Sequence, residues 1–103
     1  METKHIPQEN ATKILTVLNN CLKINPNLKF HVIGDDEGDL IYKGTNPEKA
    51  ISEMDGYDCN FGVNCMDNGK CIGWFFITPY EDVDDVICDH SDNEFCNKGL
   101  RGV

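Results

Sequence analysis

The longest apolar pattern in the chain is a helical stripe near its beginning. Apolar residues recur there every three or four positions, as they do on one face of an α-helix; they are Ala11, Ile14, Leu15, Val17, Leu18, Cys21 and Leu22. Pro7 suits a first helical turn, and Asn25-Pro26-Asn27 supplies a stop. We therefore predict a helix from Pro7 or Asn10 to about Ile24, preceded by a loose terminus over residues 1–6.

Alternating patterns come next, and they predict strands. The stretch from Leu28 to Ile33 alternates between two sets of side chains, and a turn rich in glycine and acidic residues separates it from a second short strand, Asp39 to Lys43. Asn46 and Pro47 then have the residue types of a helix N-cap and a first helical position. A short helix is expected to follow them.

The most specific local signal lies between Tyr57 and Thr78. Two runs of β-forming residues flank Asn68-Gly69, and Asn-Gly between such runs is typical of a two-residue hairpin turn. An uninterrupted ladder would place three pairs on one side of the hairpin: Val63 with Trp74, Phe61 with Phe76, and Cys65 with Ile72. We expect the first helix to cover this side and to bury Trp74.

Beyond Pro79 the pattern is weaker. Val83 to Cys88 reads as a short edge strand, and Ser91 followed three residues later by Glu94 matches a capping box. The helix that begins there would direct Phe95 inward and end at Gly99.

Chain length agrees with a single core, because 103 residues support one domain but not two. We predict one α+β domain over residues 1–103, with a small antiparallel sheet of four to five strands. The N-terminal helix would pack on one face, and two short helices would complete the fold. No apolar run reaches the roughly 18 residues of a membrane span, and the first ten residues contain no hydrophobic signal core. We expect a cytoplasmic protein.

The second side of the predicted hairpin has no obvious covering helix. It carries Gly62, Gly73 and Phe75, and glycines in a strand let another backbone or a flat ligand approach closely. Either the two short helices cover this side or another chain does. We favour a surface for self-association or for a partner, since exposed apolar patches commonly mark binding sites.

Charge narrows the choice of partner. The formal net charge is −9, and the segment from Ala50 to Asn97 contains eleven acidic residues and a single base, Lys70. Phosphate binding needs lysine and arginine, so direct nucleic-acid binding is not expected. An acidic surface permits a basic protein partner, or serves solubility alone. The candidate partner-binding residues are Asp82, Asp84, Asp85, Asp89 and Asp92.

Metal and cofactor signals are weak. The chain has six cysteines, and we see no secretory signal in its sequence. We therefore expect free thiols rather than disulfides. Cys88, His90 and Cys96 form the one trio worth testing for zinc, although the usual close ligand pair is missing. The acidic turn from Asp35 fails as a calcium loop, because Leu40 stands where such a loop requires glycine. We predict no cofactor.

Catalytic signals are weaker still. The three histidines are His5, His31 and His90, and only His90 lies near a cysteine nucleophile, Cys88. The chain has no phosphate-binding glycine loop and no hydrolase or metalloprotease motif. We do not expect an enzyme.

The second half of the chain resembles the small accessory proteins encoded by tailed bacteriophages. The resemblance rests on Gly73-Trp74 opening an aromatic strand and on the acidic loop that leads to the run from Ile87 to Asn93. It implies a class of role, namely binding and disabling host components such as restriction and CRISPR machinery. It implies no catalytic residue.

Three functional hypotheses follow. The leading one is a small, acidic, non-enzymatic binding protein, phage-encoded, whose carboxylates occupy phosphate sites on a host nucleic-acid-binding protein. A second is an oligomeric sponge for a nucleotide-like small molecule held between the Gly62 and Gly73 faces. A third is an interaction module stabilised by zinc.

Overall fold

A computed structural model describes residues 5–87 and 93–102. Its elements, in chain order, are α1 (Gln8–Ile24), β1 (Lys29–Gly34), β2 (Leu40–Gly44), α2 (Pro47–Met54), β3 (Phe61–Asp67), β4 (Lys70–Ile77), a 3₁₀ turn (Val83–Asp85) and α3 (Glu94–Arg101). The four strands form one antiparallel sheet in the order β2-β1-β3-β4. The predicted α+β class is confirmed, with four strands and an N-terminal helix packed on the sheet.

Helix α1 forms where its apolar stripe predicts it. Ile14, Val17, Leu18 and Cys21 are buried in one cluster with the side chains of the sheet. Pro7 occupies the N-cap position, and the amide of Asn25 closes the last turn on the carbonyl of Cys21. The burial of this stripe joins the helix to the sheet through the hydrophobic effect.

The hairpin between β3 and β4 turns at Asn68-Gly69, as predicted. Asn68 (φ 51°) and Gly69 (φ 81°) both have positive φ, which a two-residue turn of this type requires and which Asn-Gly tolerates best. The predicted ladder is nevertheless wrong beyond its first pairs. Met66 pairs with Cys71, but the next pair is Cys65 with Gly73, so one residue of β4 is left without a partner.

That extra residue, Ile72, forms a β-bulge and exchanges the two sides of β4. A shift of one residue sends every following side chain to the opposite face. Trp74, predicted to lie under α1, is therefore 60% exposed, whereas Phe75 is 2% exposed and belongs to the core. Ile77 is buried in the same way.

The segment after Pro79 differs from its predicted form. Val83–Asp85 is a single 3₁₀ turn rather than part of an edge strand, and only Ile87 bridges back to β4, at Ile77. The predicted capping residue Ser91 lies outside the described residues. Within them, the Asn93 side chain caps α3 by accepting a hydrogen bond from the amide of Cys96.

Helix α3 also runs further than predicted. Gly99 lies inside the helix, which ends at Arg101 with Gly102 in the left-handed conformation as its C-cap. Gly99 permits close packing, because a Cβ there would meet the Cys21 sulfur at 2.6 Å. A glycine that reads as a stop in the sequence is thus a contact point between α1 and α3.

Helix α2 and the first residues anchor each other. Asn46 accepts hydrogen bonds from the amides of Glu48 and Lys49, as expected of an N-cap before Pro47. At the other end of α2, Asp55 accepts hydrogen bonds from the Ile6 amide and the His5 ring. These bonds hold His5 and Ile6 against the end of α2, while residues 1–4 of the predicted loose terminus lie outside the described range.

All three helices lie on one face of the sheet, and the other face is uncovered by any described element. We call this uncovered surface the outer face. Its residues come from all four strands and are Lys29, His31, Ile33, Leu40, Lys43, Gly62, Asn64, Met66, Cys71, Trp74 and Phe76. The predicted open face thus exists, but its aromatic residues are Trp74 and Phe76.

No helix among the described residues has the length and apolar character to cross a membrane.

Candidate binding surface at the acidic end of the sheet

Three loops meet at one end of the sheet because of the strand register. Gly34 at the end of β1 pairs with Phe61 at the start of β3, and Phe61 pairs with Ile77 at the end of β4. The β1–β2 turn, the loop between α2 and β3, and the segment after β4 consequently leave the sheet side by side. The amide of Asp35 donates to the carbonyl of Asn60 at 2.8 Å, which joins two of these loops directly.

These loops concentrate negative charge. We call the surface they form the acidic end, and its exposed carboxylates are Asp35, Asp36, Glu37, Asp39, Asp58, Glu81, Asp82, Asp84 and Asp85. Two open clefts lie among them and share Asp36 and Cys59. One, of about 590 Å³, extends along Glu37 and Asp39 toward Tyr57. The other, of about 430 Å³, lies between the Asp35–Asp36 turn, Asp58 and Glu81.

Helix α1 holds the segment after β4 in place. Asn10 is almost completely buried, and its amide nitrogen donates to the carbonyls of Pro79 and Glu81, both at 2.8 Å. One turn later, the Lys13 ammonium donates to the carbonyl of Val83 at 2.9 Å. These bonds fix the backbone on which Glu81 and its acidic neighbours stand, so the carboxylates are presented by a supported loop.

A second set of contacts joins this segment to the sheet and to the α2–β3 loop. The Thr78 hydroxyl donates to the carbonyl of Asp85 at 2.7 Å, and the Tyr80 hydroxyl donates to the carbonyl of Tyr57 at 2.6 Å. The pKa of Tyr80 is raised, first by burial and then by the negative charges of Asp55 and Asp58. Tyr80 therefore reports both the packing of the acidic end and its negative field.

The carboxyl group of Asp55 is stabilised in its charged form. Its pKa is lowered, chiefly by the hydrogen bond from the Ile6 amide and next by the His5 side chain. Asp55 therefore binds the segment that contains His5 and Ile6.

The predicted partner-binding residues are partly placed by the structure. Asp82, Asp84 and Asp85 are exposed at the acidic end, whereas Asp89 and Asp92 lie outside the described residues. Sequence reasoning missed Asp35, Asp36, Asp58 and Glu81 as members of the same surface. The available signal was positional, since acids that follow β1, precede β3 and follow β4 must meet where those strands pair.

The predicted ligand face is divided by the structure. Gly62 lies on the outer face, but Gly73 is on the helix side, where a Cβ would meet the Cys96 sulfur at 2.8 Å and the Phe95 ring at 2.9 Å. Phe75 is buried in the core. A ligand site shared by Gly62, Gly73 and Phe75 is therefore wrong, because the bulge at Ile72 separates them.

The predicted metal trio is not assembled within the described residues, since Cys88 and His90 lie outside them. Cys96 is buried, with its sulfur 3.2 Å from the carbonyl of Trp74. The part of the chain that the structure describes contains no group of three or more His, Cys, Asp or Glu able to hold a metal ion. Its five cysteines are all free thiols.

Comparison of the chain with protein-family models, with curated proteins and with solved structures finds no match.

Proposed function

We propose that this chain is a small, acidic, non-enzymatic binding protein whose acidic end occupies a basic surface of another protein. The observation that supports the proposal is the convergence of three loops, each contributing exposed carboxylates, at one end of the sheet. Carboxylates grouped in this way create a strong local negative potential, which attracts lysine- and arginine-rich surfaces.

The grouping of negative charge favours a partner that otherwise binds phosphates. Carboxylates from three loops line neighbouring clefts, and a nucleic-acid backbone likewise presents several negative charges together. Together with the resemblance to phage accessory proteins, this suggests a phage-encoded inhibitor of a host nucleic-acid-binding defence component. Asp82, Asp84 and Asp85 remain partner-binding candidates, and Asp36, Asp58 and Glu81 join them.

The proposal is tested by capture from a bacterial host that produces the tagged protein. The test variant combines Asp36→Asn with Glu81→Gln, which removes one charge that both clefts share and one charge from the second cleft. The control combines Glu48→Gln with Glu53→Gln, which removes the same charge from the exposed side of α2. We expect one basic protein to be retained by the wild type and the control and to be lost, by tenfold or more, from the test variant.

Salt provides an independent criterion for the same experiment. Exposed charge pairs are screened over about 8 Å at physiological ionic strength and over about 3 Å at 1 M, so the captured partner should elute as NaCl rises. Retention of the same partner by both variants, or at all salt concentrations, would contradict the proposal.

A further inference from the structure

A third cavity, separate from the two acidic clefts, lies on the outer face beside the turn between β3 and β4. Its volume is about 260 Å³, and the described residues that line it are Asn27, Lys29, His31, Lys43, Met66, Asn68 and Gly69. Three of these side chains are basic and none is acidic. This local excess of basic groups contrasts with the net charge of −9 of the whole chain.

The strand register brings the three basic side chains together. His31 pairs with Lys43 of β2, and Lys29 lies two residues earlier on β1, so the three side chains lie on the same side of the sheet. The Cβ atoms of directly paired residues are about 4.5–5.5 Å apart. On β3 the residue paired with His31 is the uncharged Asn64. Neither lysine forms an ion pair with another described residue.

The two lysines act on His31. The pKa of His31 is lowered, first by burial and then by the positive charges of Lys43 and Lys29. The imidazole is therefore mostly neutral at pH 7, where the two ammonium groups remain charged. A cavity that combines converging polar groups with a shifted pKa has the properties of a binding site.

We propose that this cavity binds the phosphate group of a small molecule, with Lys29 and Lys43 as its charged ligands. Lysine binds phosphate as a point charge, and two ammonium groups match the two negative charges of a phosphate monoester. The side-chain amides of Asn27 and Asn68 and the His31 ring supply hydrogen-bond donors. A carboxylate would leave one ammonium group without a counter-charge.

The size of the cavity favours a single phosphate group. Ligand pockets commonly have volumes of about 300–1,000 Å³, and this cavity is just below that range at about 260 Å³. It holds a phosphate group while the remainder of the ligand stays in solvent. A nucleic-acid backbone requires contacts with several cations, so three basic groups suit one phosphate better than a polynucleotide.

The carboxylates elsewhere in the chain do not prevent anion binding here. Lys29 is six residues from Asp35, the first carboxylate of the acidic end, which is about 20 Å at 3.3 Å per residue. Exposed charges are screened over about 8 Å at physiological ionic strength. Asp67, the acidic residue of β3, follows Met66 and accepts a hydrogen bond from the Asn25 side chain. The adjacent lysines therefore dominate the potential inside the cavity.

Titration of the ¹⁵N-labelled full chain with inorganic phosphate, at constant ionic strength, tests the proposal by NMR. We expect the amide shifts to be confined to the residues of the cavity, with a dissociation constant on the order of 1 mM. The variant Lys29→Gln/Lys43→Gln should bind at least tenfold more weakly. The control Lys49→Gln/Lys98→Gln removes the same charge from exposed positions on α2 and α3 and should bind as the wild type does.

His31 provides a second signal that distinguishes a bound phosphate from a general salt effect. A phosphate dianion beside the imidazole favours its protonated form, so saturating phosphate should raise the pKa of His31, measured from its ring-proton shifts. The groups that face His31 are Lys43 on β2, Asn64 on β3 and Lys29 on its own strand. NaCl at the same ionic strength should leave this pKa much less changed.

Further ligands and one further variant decide between the remaining outcomes. Methyl phosphate that binds more tightly than inorganic phosphate would identify a phosphorylated molecule as the ligand, and equal affinity would identify free phosphate; both support the site. Acetate that binds as tightly as phosphate would overturn the proposal. So would shifts outside the cavity alone, or equal affinity in the wild type and Lys29→Gln/Lys43→Gln.

The phosphate site does not depend on the proposed function. The carboxylates altered to test that function lie at the acidic end, and the cavity lies beside the β3–β4 turn at the opposite end of the sheet. Asp36→Asn/Glu81→Gln should therefore bind phosphate as the wild type does. Loss of phosphate binding in this variant would contradict the separation of the two sites.

Discussion

Ile72 is the residue that decides which side chains form the core. Its insertion into β4 leaves it without a cross-strand partner, and the Asn93 side chain donates to its carbonyl at 3.0 Å. Everything after it in the strand changes face, so that Phe75 enters the core and Trp74 reaches solvent. A single residue thereby determines which side chains of β4 join the buried cluster and which lie on the outer face.

The exchange of Trp74 and Phe75 can be measured directly. Removing a buried phenylalanine side chain costs about 3–5 kcal/mol, whereas surface substitutions usually change stability by less than about 0.5 kcal/mol. We expect Phe75→Ala to lower the free energy of unfolding by several kcal/mol, and Trp74→Ala to change it little. Urea denaturation followed by circular dichroism distinguishes them. A larger loss of stability for Trp74→Ala than for Phe75→Ala would contradict the bulge and favour the uninterrupted hairpin ladder.

Asp55 makes the stability of the fold depend on pH in the acidic range. Because its pKa is lower in the folded chain than in the unfolded one, it stabilises the fold above its unfolded pKa. That contribution is lost as the pH falls below about 4 through the folded pKa. We expect Asp55→Asn to be less stable than the wild type at pH 7 and to approach it at pH 3. Glu53→Gln, on the same helix, is the matched control; an unchanged wild-type advantage at pH 3 would contradict the assignment.

At the scale of elements, the packing of α3 on β4 depends on one glycine. A Cβ at Gly73 would approach the Cys96 sulfur and the Phe95 ring more closely than real Cβ atoms do, whereas Gly62 has no atom within 4 Å of such a position. The two glycines look equivalent in the sequence. Only Gly73 is needed for helix packing, because the bulge turns it toward α3.

This difference predicts opposite outcomes for the same substitution. Overpacking a tight contact costs about 1–3 kcal/mol, so Gly73→Ala should destabilise the fold by that amount. Gly62→Ala should be neutral or slightly stabilising, since alanine restricts the unfolded chain. Thermal denaturation of the two variants makes the comparison. Equal losses of stability in the two variants would contradict the difference between Gly73 and Gly62.

The three helices and four strands could be read from the sequence, but the faces of β4, the end of α3 and the 3₁₀ turn after Pro79 could not. Periodicity specified α1, and Asn46-Pro47 and Asn68-Gly69 specified the start of α2 and the hairpin turn, because these signals act over a few neighbouring residues. A bulge depends on what packs against the strand. Here the close approach of α3 to Gly73 and the burial of Phe75 are tertiary effects, and strand alternation alone does not contain them.

At the scale of the whole molecule, exposed carboxylates are grouped at one end of the sheet. The acidic end gathers carboxylates from three loops supported by Asn10, Lys13 and Tyr80. The outer face carries exposed Trp74, half-buried Phe76 and two exposed lysines. Composition predicted an acidic surface, but it placed that surface only beyond Pro79. The contribution of the β1–β2 turn becomes visible only when Gly34, Phe61 and Ile77 are seen at one end of the sheet.

The central claim is that the acidic end binds a basic protein through its grouped charges. The most direct measurement is the dissociation constant of the purified complex with the captured partner, determined by calorimetry at several salt concentrations. The account predicts that affinity falls steeply as salt rises and that Asp36→Asn/Glu81→Gln both weakens binding and reduces this dependence. An affinity independent of salt, and unchanged in this variant, would contradict it.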